Sequence, residues 1–223
     1  ATYRDYADYL IERLEQFRTR YGKVTISNAY FGGGTPSAMP PKHLKRYLDA
    51  LQATFEIRHE FTVEAHPITL SDDLLHTLHG AGVNRISMGI QSTDKTVLKN
   101  ITRRNRPYEE IASFVKAATA KGIAVNLDLC IGLPEQTREI VAHDLKLITD
   151  MRPSRITLYP YHPVKSLPIN PPDDLALSDL LTDTNQEQDV QRPLDPLARA
   201  AGYNNISINR FQAILQQTQR ENA

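Results

Sequence analysis

Segments with the pattern of a strand alternate with segments of helical periodicity along most of this chain, and this alternation limits the folds it can adopt. Strand-like runs occur at 24–31, 61–64, 85–90, 123–130 and 155–159. Short connections between strands and helices favour right-handed crossovers between parallel strands. A closed eight-unit barrel usually needs about 250 residues, and this chain has 223. The sequence therefore predicts an α/β fold whose parallel sheet forms an open or partial barrel.

Apolar residues at spacings of three and four predict the helices. The first such face runs from Tyr3 to Phe17, and Gly22 ends that helix. Further helices are predicted at 41–55, 72–80, 95–100, 107–121 and 139–151, and a C-terminal helix at 194–201 precedes a last strand at 203–208.

The chain is predicted to have two parts. Residues 1–165 form the barrel, and residues 166–223 form a less regular C-terminal part with a loop, a helix and the final strand. From Pro163 to Thr184, prolines and aspartates interrupt the periodicity, which is typical of a loop. This loop is either a lid on the substrate side or a connection between elements.

Net charge and cysteine content exclude several classes of function. Lysine plus arginine number 26 and aspartate plus glutamate number 26, so there is no excess of positive charge for a nucleic-acid backbone or an anionic membrane. Cys130 is the one cysteine and cannot form an intrachain disulfide. The 223 residues contain no recognisable signal peptide and no apolar run of about 18 residues. We therefore expect a cytoplasmic protein whose partners include neither nucleic acid nor a membrane.

Polar residues follow strand after strand of the predicted sheet. The carboxyl ends of parallel strands open onto one face, where loops assemble sites, so these residues should converge there. They are Gly33, Gly34 and Thr35 after the first strand, Glu64 at the second, Gln91 after the third, Asp128 near the end of the fourth and His162 after the fifth.

Each of these residues also has an ordinary structural explanation. The glycine-rich loop 32–36 can bring backbone groups close to a ligand's amino or carboxylate group, or it can be a tight turn. Glu64 suits a ribose hydroxyl pair, an ammonium group or a surface ion pair. Asp128 lies in the apolar stretch 125–133, where an unpaired carboxylate is costly. It should therefore meet a ligand or an arginine.

Other reactive side chains give weaker signals. Arg103 and Arg104 follow a short helix and can bind a carboxylate bidentately or remain solvated. The seven histidines have no metal-ligand spacing, and only His162 suggests a site. Cys130 has apolar neighbours, which favours a packing role. No catalytic residue can be assigned from these patterns.

Four ordered motifs together resemble those of a known family. They are YFGGGTPS at 30–37, VEAHP at 63–67, GVNRISMGIQS at 82–92 and NLDLCIGLPEQT at 126–137. This set is similar to the oxygen-independent coproporphyrinogen III oxidase-like branch of the radical S-adenosylmethionine enzymes. The resemblance implies a partial (β/α)6 barrel with a [4Fe–4S] cluster, which reduces S-adenosylmethionine to methionine and a 5′-deoxyadenosyl radical that abstracts hydrogen from a substrate.

The cluster ligands of that family come as CxxxCxxC before its first helix, and the 223 residues do not contain this motif. Because residues 3–17 resemble the helix that follows the cysteine loop, the resemblance implies that the ligands lie upstream of Ala1. No metal ligand is therefore assigned in this sequence. Cys130 stands where the family usually carries an aliphatic residue, so it is not expected to bind the cluster.

Two groups of residues match the family's cofactor contacts by position. Those around the cluster-bound S-adenosylmethionine are Gly33, Gly34, Thr35 and Glu64. Those that contact a second S-adenosylmethionine in the oxidase are Gln91, Arg103 and Asp128. His162 occupies a matching cofactor-lining position but differs in type, and Asn105 stands where a related haem-chaperone branch often has histidine.

The resemblance implies a radical enzyme that modifies a small-molecule or macrocyclic organic substrate and takes its electron from a separate donor. Methyl or methylene transfer from a second S-adenosylmethionine is slightly favoured, because the end of the fifth strand departs from the oxidase. The alternatives are oxidative decarboxylation of coproporphyrinogen III, a haem chaperone without turnover, and a pseudoenzyme without a cluster.

Overall fold

The computed structural model describes residues 2–161 and the two-residue segment Ser207–Ile208. The helices are α1 (Tyr3–Tyr21), α2 (Pro41–Thr54), α3 (Asp72–Gly80), α4 (Lys95–Asn100), α5 (Tyr108–Ala120) and α6 (Arg138–Asp150). The strands are β1 (Val24–Phe31), β2 (Phe55–Ala65), β3 (Arg85–Gln91), β4 (Ala124–Ile131), β5 (Arg155–Pro160) and β6 (Ser207–Ile208).

The strands form one parallel sheet in the order β1-β2-β3-β4-β5-β6. Helices connect β1 with β2, β2 with β3, β3 with β4 and β4 with β5, as expected for parallel neighbours. The sheet curls into a partial (β/α) barrel of the TIM-like type, which confirms the predicted fold class.

Local signals fix the ends of α1. The Thr2 hydroxyl accepts a hydrogen bond from the Asp5 backbone N–H, and the Asp5 carboxylate accepts one from the Thr2 N–H. This reciprocal capping box satisfies two backbone donors at the start of the helix. Gly22 ends the helix with φ +72°, a conformation that glycine adopts without steric cost.

The strand β2 is longer than the sequence predicts. The prediction covers 61–64, whereas β2 begins at Phe55, where it pairs with Val24 of β1. Charged side chains such as Glu56 and Arg58 face solvent in this first half of the strand. Only the second half of β2 is buried. The exposed charged residues of the first half hid that part of the strand from a prediction based on apolar runs.

The two faces of the sheet differ in polarity. Alternate strand positions pack against the helices and form the core, and its fully buried members include Val63, Ile86, Leu127, Leu158, Leu48, Leu78, Val115 and Ile148. The intervening positions, on the concave face, carry Glu64, Ser87, Asn126, Asp128 and Thr157. Closed barrels fill their interior with layers of branched aliphatic side chains. Here the polar interior leaves room for a ligand.

Several predictions fall outside the described residues. They are the loop from Pro163 to Thr184, the helix at 194–201 and the division between residues 165 and 166. Of the predicted last strand, Ser207–Ile208 is described and pairs in parallel with β5. None of the described helices combines the length and apolarity needed to cross a bilayer.

Candidate functional site

Polar side chains of the concave face lie in register across four strands. Glu64 pairs with Ser87, and Ser87 pairs with Asn126. One step closer to the carboxyl ends, Asp128 pairs with Thr157. Paired residues of neighbouring strands share a face of the sheet. These polar groups therefore come together near one edge of the sheet.

Asp128 is held by amide and hydroxyl donors. The Asn126 side-chain amide donates to Oδ1 at 2.6 Å, and the Ser87 hydroxyl donates to Oδ2 at 3.3 Å. The Thr157 hydroxyl donates to Asn126 Oδ1 at 2.9 Å and so orients that amide. Burial raises the pKa of Asp128, the hydrogen bonds oppose this shift, and the charge of Glu64 adds to it. Among the described residues no arginine forms an ion pair with Asp128, and amide and hydroxyl donors hold the carboxylate instead.

Gln91 and Arg103 come together over Gly89. The register of β3 shifts between Gly89 and Gln91, and Gln91 has φ +69°, a left-handed conformation that is uncommon outside glycine. The Arg103 guanidinium donates to the Gly89 carbonyl oxygen. A Cβ on Gly89 would lie 2.7 Å from Gln91 Nε2 and 3.3 Å from Arg103 Nη2. Glycine at this position lets both side chains lie against the strand.

Glu64 organises the glycine-rich loop. Its Oε1 accepts a hydrogen bond from the Tyr30 hydroxyl at 2.7 Å, and its Oε2 accepts one from the Gly33 N–H at 3.0 Å. A Cβ on Gly32 would lie 2.8 Å from the Glu64 carboxyl carbon. Gly33 and Gly34 have φ +83° and +55°, and a Cβ on either would meet no atom within 4 Å. The loop therefore presents open backbone, and Glu64 fixes its position.

A cavity of about 800 Å³ opens at this edge of the sheet, a volume typical of small-molecule sites. Its polar wall includes Gln91, Asp128, Arg103, Arg104, His66 and Tyr161. Within the described residues, the buried Arg103 Nε and the Tyr161 hydroxyl have no hydrogen-bond partner. Buried donors without partners are costly. Arg103 and Tyr161 both belong to the wall, and their guanidinium and hydroxyl groups suit a ligand that carries acceptor atoms.

The structure groups most of the predicted cofactor residues in two adjoining places. Three of them line the cavity: Gln91, Arg103 and Asp128. Glu64 accepts a hydrogen bond from the Gly33 N–H, and neither residue lines the cavity. Gly34 and Thr35 are exposed in the same loop as Gly33. Glu64 pairs with Ser87, whose hydroxyl donates to Asp128, so the two groups adjoin. His162 lies outside the described residues.

His66 lines the cavity although sequence reasoning did not select it. Its Nδ1 accepts a hydrogen bond from the Ile68 N–H at 3.1 Å, and its own backbone N–H donates to the Ser37 hydroxyl at 2.9 Å. A neutral imidazole that accepts at Nδ1 carries its proton on Nε2. Burial, followed by the positive charge of Arg103, lowers the pKa of His66. At neutral pH the ring therefore offers an N–H donor.

Cys130 also lines the cavity. The sequence predicted only a packing role for this residue. Cys130 lies two residues after Asp128 on β4, opposite Tyr159 of β5. Burial raises the pKa of the Cys130 thiol to about 12, so the thiol stays protonated and weakly nucleophilic at neutral pH. Its spacing of two from Asp128 was the signal that both side chains share the concave face.

The fold and the site define a class of protein, a partial parallel barrel with a ligand cavity at the carboxyl edge of its sheet. The family profile described as Radical SAM superfamily matches residues 2–148, and the chain belongs to this family. The resemblance inferred from the four motifs is thereby confirmed. Members of the family use S-adenosylmethionine and a [4Fe–4S] cluster.

Two curated relatives and one solved structure are similar to the chain. The heme chaperone HemW of Escherichia coli is 31% identical over 215 residues, which are 93% of this chain and 54% of the relative. The oxygen-independent coproporphyrinogen III oxidase of Salmonella typhimurium is 30% identical over 213 residues, 92% of this chain and 46% of the relative. The structure of coproporphyrinogen III oxidase from Escherichia coli matches with a TM-score of 0.74 at 26% identity, covering 90% of this chain and 47% of that one. The chain thus spans about half the length of these relatives.

The described residues fit the two cofactors of the family differently. Within 2–161, no group of three or more His, Cys, Asp or Glu side chains is placed to hold a metal ion, so these residues do not supply a ligand set for the cluster. S-adenosylmethionine carries a sulfonium cation, an ammonium group, a carboxylate and a nucleoside. The cavity offers the carboxylate of Asp128 and the side chains of Arg103 and Tyr161, and the open backbone of Gly33 and Gly34 lies nearby. These groups fit that molecule.

Proposed function

We propose that this chain is the barrel of a radical S-adenosylmethionine enzyme that binds its nucleoside cofactor at the carboxyl edge of the sheet and oxidises a carboxylated macrocycle. The observation that supports the proposal most directly is the convergence of Gln91, Arg103 and Asp128 in one cavity. Gln91 ends β3, Arg103 belongs to the connection that follows it and Asp128 lies on β4, and Arg103 and Asp128 carry opposite charges. Such convergence on a concave site is the usual form of a small-molecule pocket.

The charges of the site suit the two ends of S-adenosylmethionine. The carboxylates of Asp128 and Glu64 favour a sulfonium or ammonium cation nearby. The guanidinium of Arg103 can bind the carboxylate of the methionine part. The Gln91 amide can both donate to and accept from a nucleoside. Contacts on several sides would hold the molecule in one orientation.

When bound to the reduced cluster, S-adenosylmethionine supplies the 5′-deoxyadenosyl radical that abstracts a hydrogen atom from the substrate. This chain's own residues contribute orientation and exclusion of water. By the match to the family, Glu64 would lie beside the cluster-bound S-adenosylmethionine. Asp128 and Arg103 would hold the sulfonium and the carboxylate of a second molecule in the cavity.

Oxidative decarboxylation of a coproporphyrinogen-like substrate is the reaction that we propose. The oxidase of Salmonella typhimurium matches 92% of the chain, and the Escherichia coli oxidase has the same barrel. The methyl or methylene transfer slightly favoured from the sequence has less support, because the curated relatives described above, which match at 30% identity or more over most of this chain, are named as an oxidase and a haem chaperone. It is therefore the less favoured version of the radical reaction.

Haem binding without turnover is the second candidate function. HemW of Escherichia coli is a chaperone by name and matches 93% of the chain at slightly higher identity than the oxidase of Salmonella typhimurium. Asn105, which stands at the position highlighted for that branch, donates through Nδ2 to the Ile90 carbonyl oxygen at 2.8 Å and to that of Ser92 at 3.3 Å. Its side chain therefore stabilises the turn after β3, and this chain lacks the histidine that the haem-chaperone branch often has at that position.

The test uses the complete gene product that carries this chain, reconstituted anaerobically with iron and sulfide and reduced with dithionite. It is incubated with S-adenosylmethionine and coproporphyrinogen III, and 5′-deoxyadenosine and the decarboxylated product are measured by mass spectrometry. We expect both products to form in proportion. Stoichiometric haem binding without nucleoside product would favour the chaperone function instead.

Two variants connect the activity to the cavity. Asp128→Asn removes the carboxylate, and we expect it to weaken binding of S-adenosylmethionine by about tenfold or more, a loss of about 1.4 kcal/mol. Glu60→Gln is the matched control. Glu60 lies on the same face of β2 as Glu64, but it forms an ion pair with Arg85 at the amino end of β3, away from the cavity. Equal binding by the native protein and Asp128→Asn would contradict the proposed site.

A further inference from the structure

Asp144 is a buried carboxylate that the proposed function does not use. It lies on α6 and is 1% exposed. A buried charge is costly unless hydrogen bonds compensate for the water it has lost. Its position therefore depends on the donors that surround it.

Within the part of the chain that the structure describes, the donors to Asp144 come from the two residues that follow β3. The Ser92 hydroxyl donates to Oδ2 at 2.7 Å, and the Thr93 backbone N–H donates to Oδ1 at 2.7 Å. The Thr93 hydroxyl also donates to Oδ1. Hydrogen bonds to a charged acceptor are stronger than those between neutral groups. Asp144 thus clamps the turn directly after Gln91 onto α6.

The clamped turn is connected to the rest of the β3–α5 connection. The Ser92 hydroxyl accepts a hydrogen bond from the Asp94 N–H at 3.1 Å, and the Asp94 carboxylate caps α4 by accepting from the N–H groups of Thr96 and Val97. Beyond α4, Asn105 donates to carbonyl oxygens at the end of β3. Hydrogen bonds within the segment from Gly89 to Asn105 therefore join its two ends, and Asp144 of α6 attaches the segment to the barrel.

This segment carries two of the three predicted cofactor residues that line the cavity. Gln91 lies one residue before the clamp and has a positive φ, a conformation that neighbouring structure must maintain. Arg103 lies in the same closed segment and donates to Gly89. Asp144 itself is on the helix that follows β4, the strand of Asp128. One carboxylate thus links the segment of Gln91 and Arg103 to the βα unit of Asp128.

We infer that Asp144 is a positioning residue, whose hydrogen bonds to Ser92 and Thr93 hold Gln91 and Arg103 in the geometry required to bind the cofactor opposite Asp128. The inference about cofactor binding rests on the proposed function. The hold on the turn can be measured without any ligand.

The first measurement is amide hydrogen exchange of the native protein and of Asp144→Asn. The variant keeps the size of the side chain and removes its charge. We expect the amides of residues 91–94 to exchange about tenfold faster, because local opening no longer has to break charge-assisted bonds. The amides of β2 should be unchanged. Equal exchange at residues 91–94 in the two proteins would overturn the inference.

The second measurement is binding of S-adenosylmethionine by calorimetry in a double-mutant cycle. We expect Asp144→Asn to raise the Kd about tenfold in the native background and by a clearly smaller factor in the Gln91→Ala background, because residues that act through each other are not additive. The same factor in both backgrounds would overturn the positioning role. If the native protein binds no S-adenosylmethionine, the proposed function fails, while the exchange measurement still decides whether Asp144 holds the turn.

Two pairs of variants separate positioning from a general loss of stability. Thr93→Val removes the hydroxyl donor at nearly constant volume and should weaken binding, whereas Thr93→Ser keeps the hydroxyl and should restore it. Ile148→Val trims the core on the same helix, and we expect native Kd and native exchange at residues 91–94. A rise in Kd for Ile148→Val equal to that for Asp144→Asn would show that the effect is merely structural.

Discussion

The Arg103 guanidinium donates a hydrogen bond to the carbonyl oxygen of Gly89, so the arginine lies across the strand that carries Gln91. This contact depends on the absence of a side chain at residue 89, because a Cβ there would lie 3.3 Å from Arg103 Nη2 and 2.7 Å from Gln91 Nε2. Both atoms that this Cβ would crowd are at the ends of flexible side chains. Crowding at residue 89 should therefore disturb the site more than the fold.

Gly89→Ala is expected to weaken binding of S-adenosylmethionine about tenfold, or about 1.4 kcal/mol, with a change in the free energy of unfolding below about 1 kcal/mol. Calorimetry measures the first quantity and urea denaturation the second. Gly80→Ala is the control, because Gly80 ends α3 and a Cβ there would meet no atom within 4 Å. It should stabilise the fold by about 0.5–1 kcal/mol and leave the Kd unchanged. Native binding by Gly89→Ala would contradict this account of the site.

Asp128→Asn should increase stability at neutral pH. Because burial raises the pKa of Asp128 in the folded state, the folded protein binds this proton more tightly than the unfolded chain. The stabilisation from this proton is complete below the unfolded pKa of about 3.9 and is lost as pH rises through the folded pKa. Asparagine has no such dependence. Urea unfolding should show the variant to be more stable than the native protein at pH 7, and this advantage should vanish near pH 3.

Asp150→Asn provides the control for that comparison, since Asp150 is an exposed residue of α6 that pairs with Lys146. Its effect should stay within about 0.5 kcal/mol at either pH. If Asp128→Asn is less stable than the native protein at pH 7, the hydrogen bonds of the carboxylate outweigh its burial, and the expected direction is wrong.

The His66 ring should titrate below the ordinary histidine pKa of about 6.5, because burial and the charge of Arg103 both disfavour its protonation. Nitrogen NMR of the labelled protein measures the midpoint and shows which ring nitrogen carries the proton. The hydrogen bond from Ile68 predicts a proton on Nε2. The unfolded chain takes up the proton more readily, so stability is lost as pH falls below about 6.5, and His66→Gln should lack this part of the loss. A proton on Nδ1 would refute the assigned tautomer.

Gln136→Leu should destabilise the protein by about 2 kcal/mol. The Gln136 side chain accepts hydrogen bonds from the N–H groups of Gly132 and Leu133 and donates to the Cys130 carbonyl oxygen. Leucine would leave these three backbone groups without their partner. Gln16→Leu serves as the control, since Gln16 is exposed on α1 and bonds only to Glu12 among the described residues. Urea denaturation would contradict the prediction if the two variants lost equal stability.

The sequence predicted most of the elements because local signals coincide with their ends. The helix at 72–80 and the short helix at 95–100 have the observed bounds, since Ser71 and Asp94 cap them with side-chain acceptors. The strand at 61–64 was too short, because the first half of β2 carries exposed charges. Apolar residues mark the buried half of a strand, whereas pairing of the exposed half with β1 is visible only in the structure.

The site was predicted in part. Gln91 and Asp128 share a cavity, as expected from their places at the ends of successive strands. Arg103, which the resemblance to the family had selected, lines the same cavity. His66 was missed because nothing in its local sequence shows that Nδ1 is tied to the backbone. Asp144 was missed because its partners lie about 50 residues earlier in the chain, beyond the reach of any helical spacing.

By itself, the sequence determined the alternation of strands and helices and the family motifs, because each depends on residues close together in the chain. The parallel sheet followed from that alternation, since short connections favour parallel neighbours. Only the tertiary structure decided which polar groups meet and which donors remain without partners. It also showed that the turn after β3 is held by a carboxylate on α6. These properties depend on the curvature of the sheet and on loss of water from side chains, and both arise only when distant segments pack together.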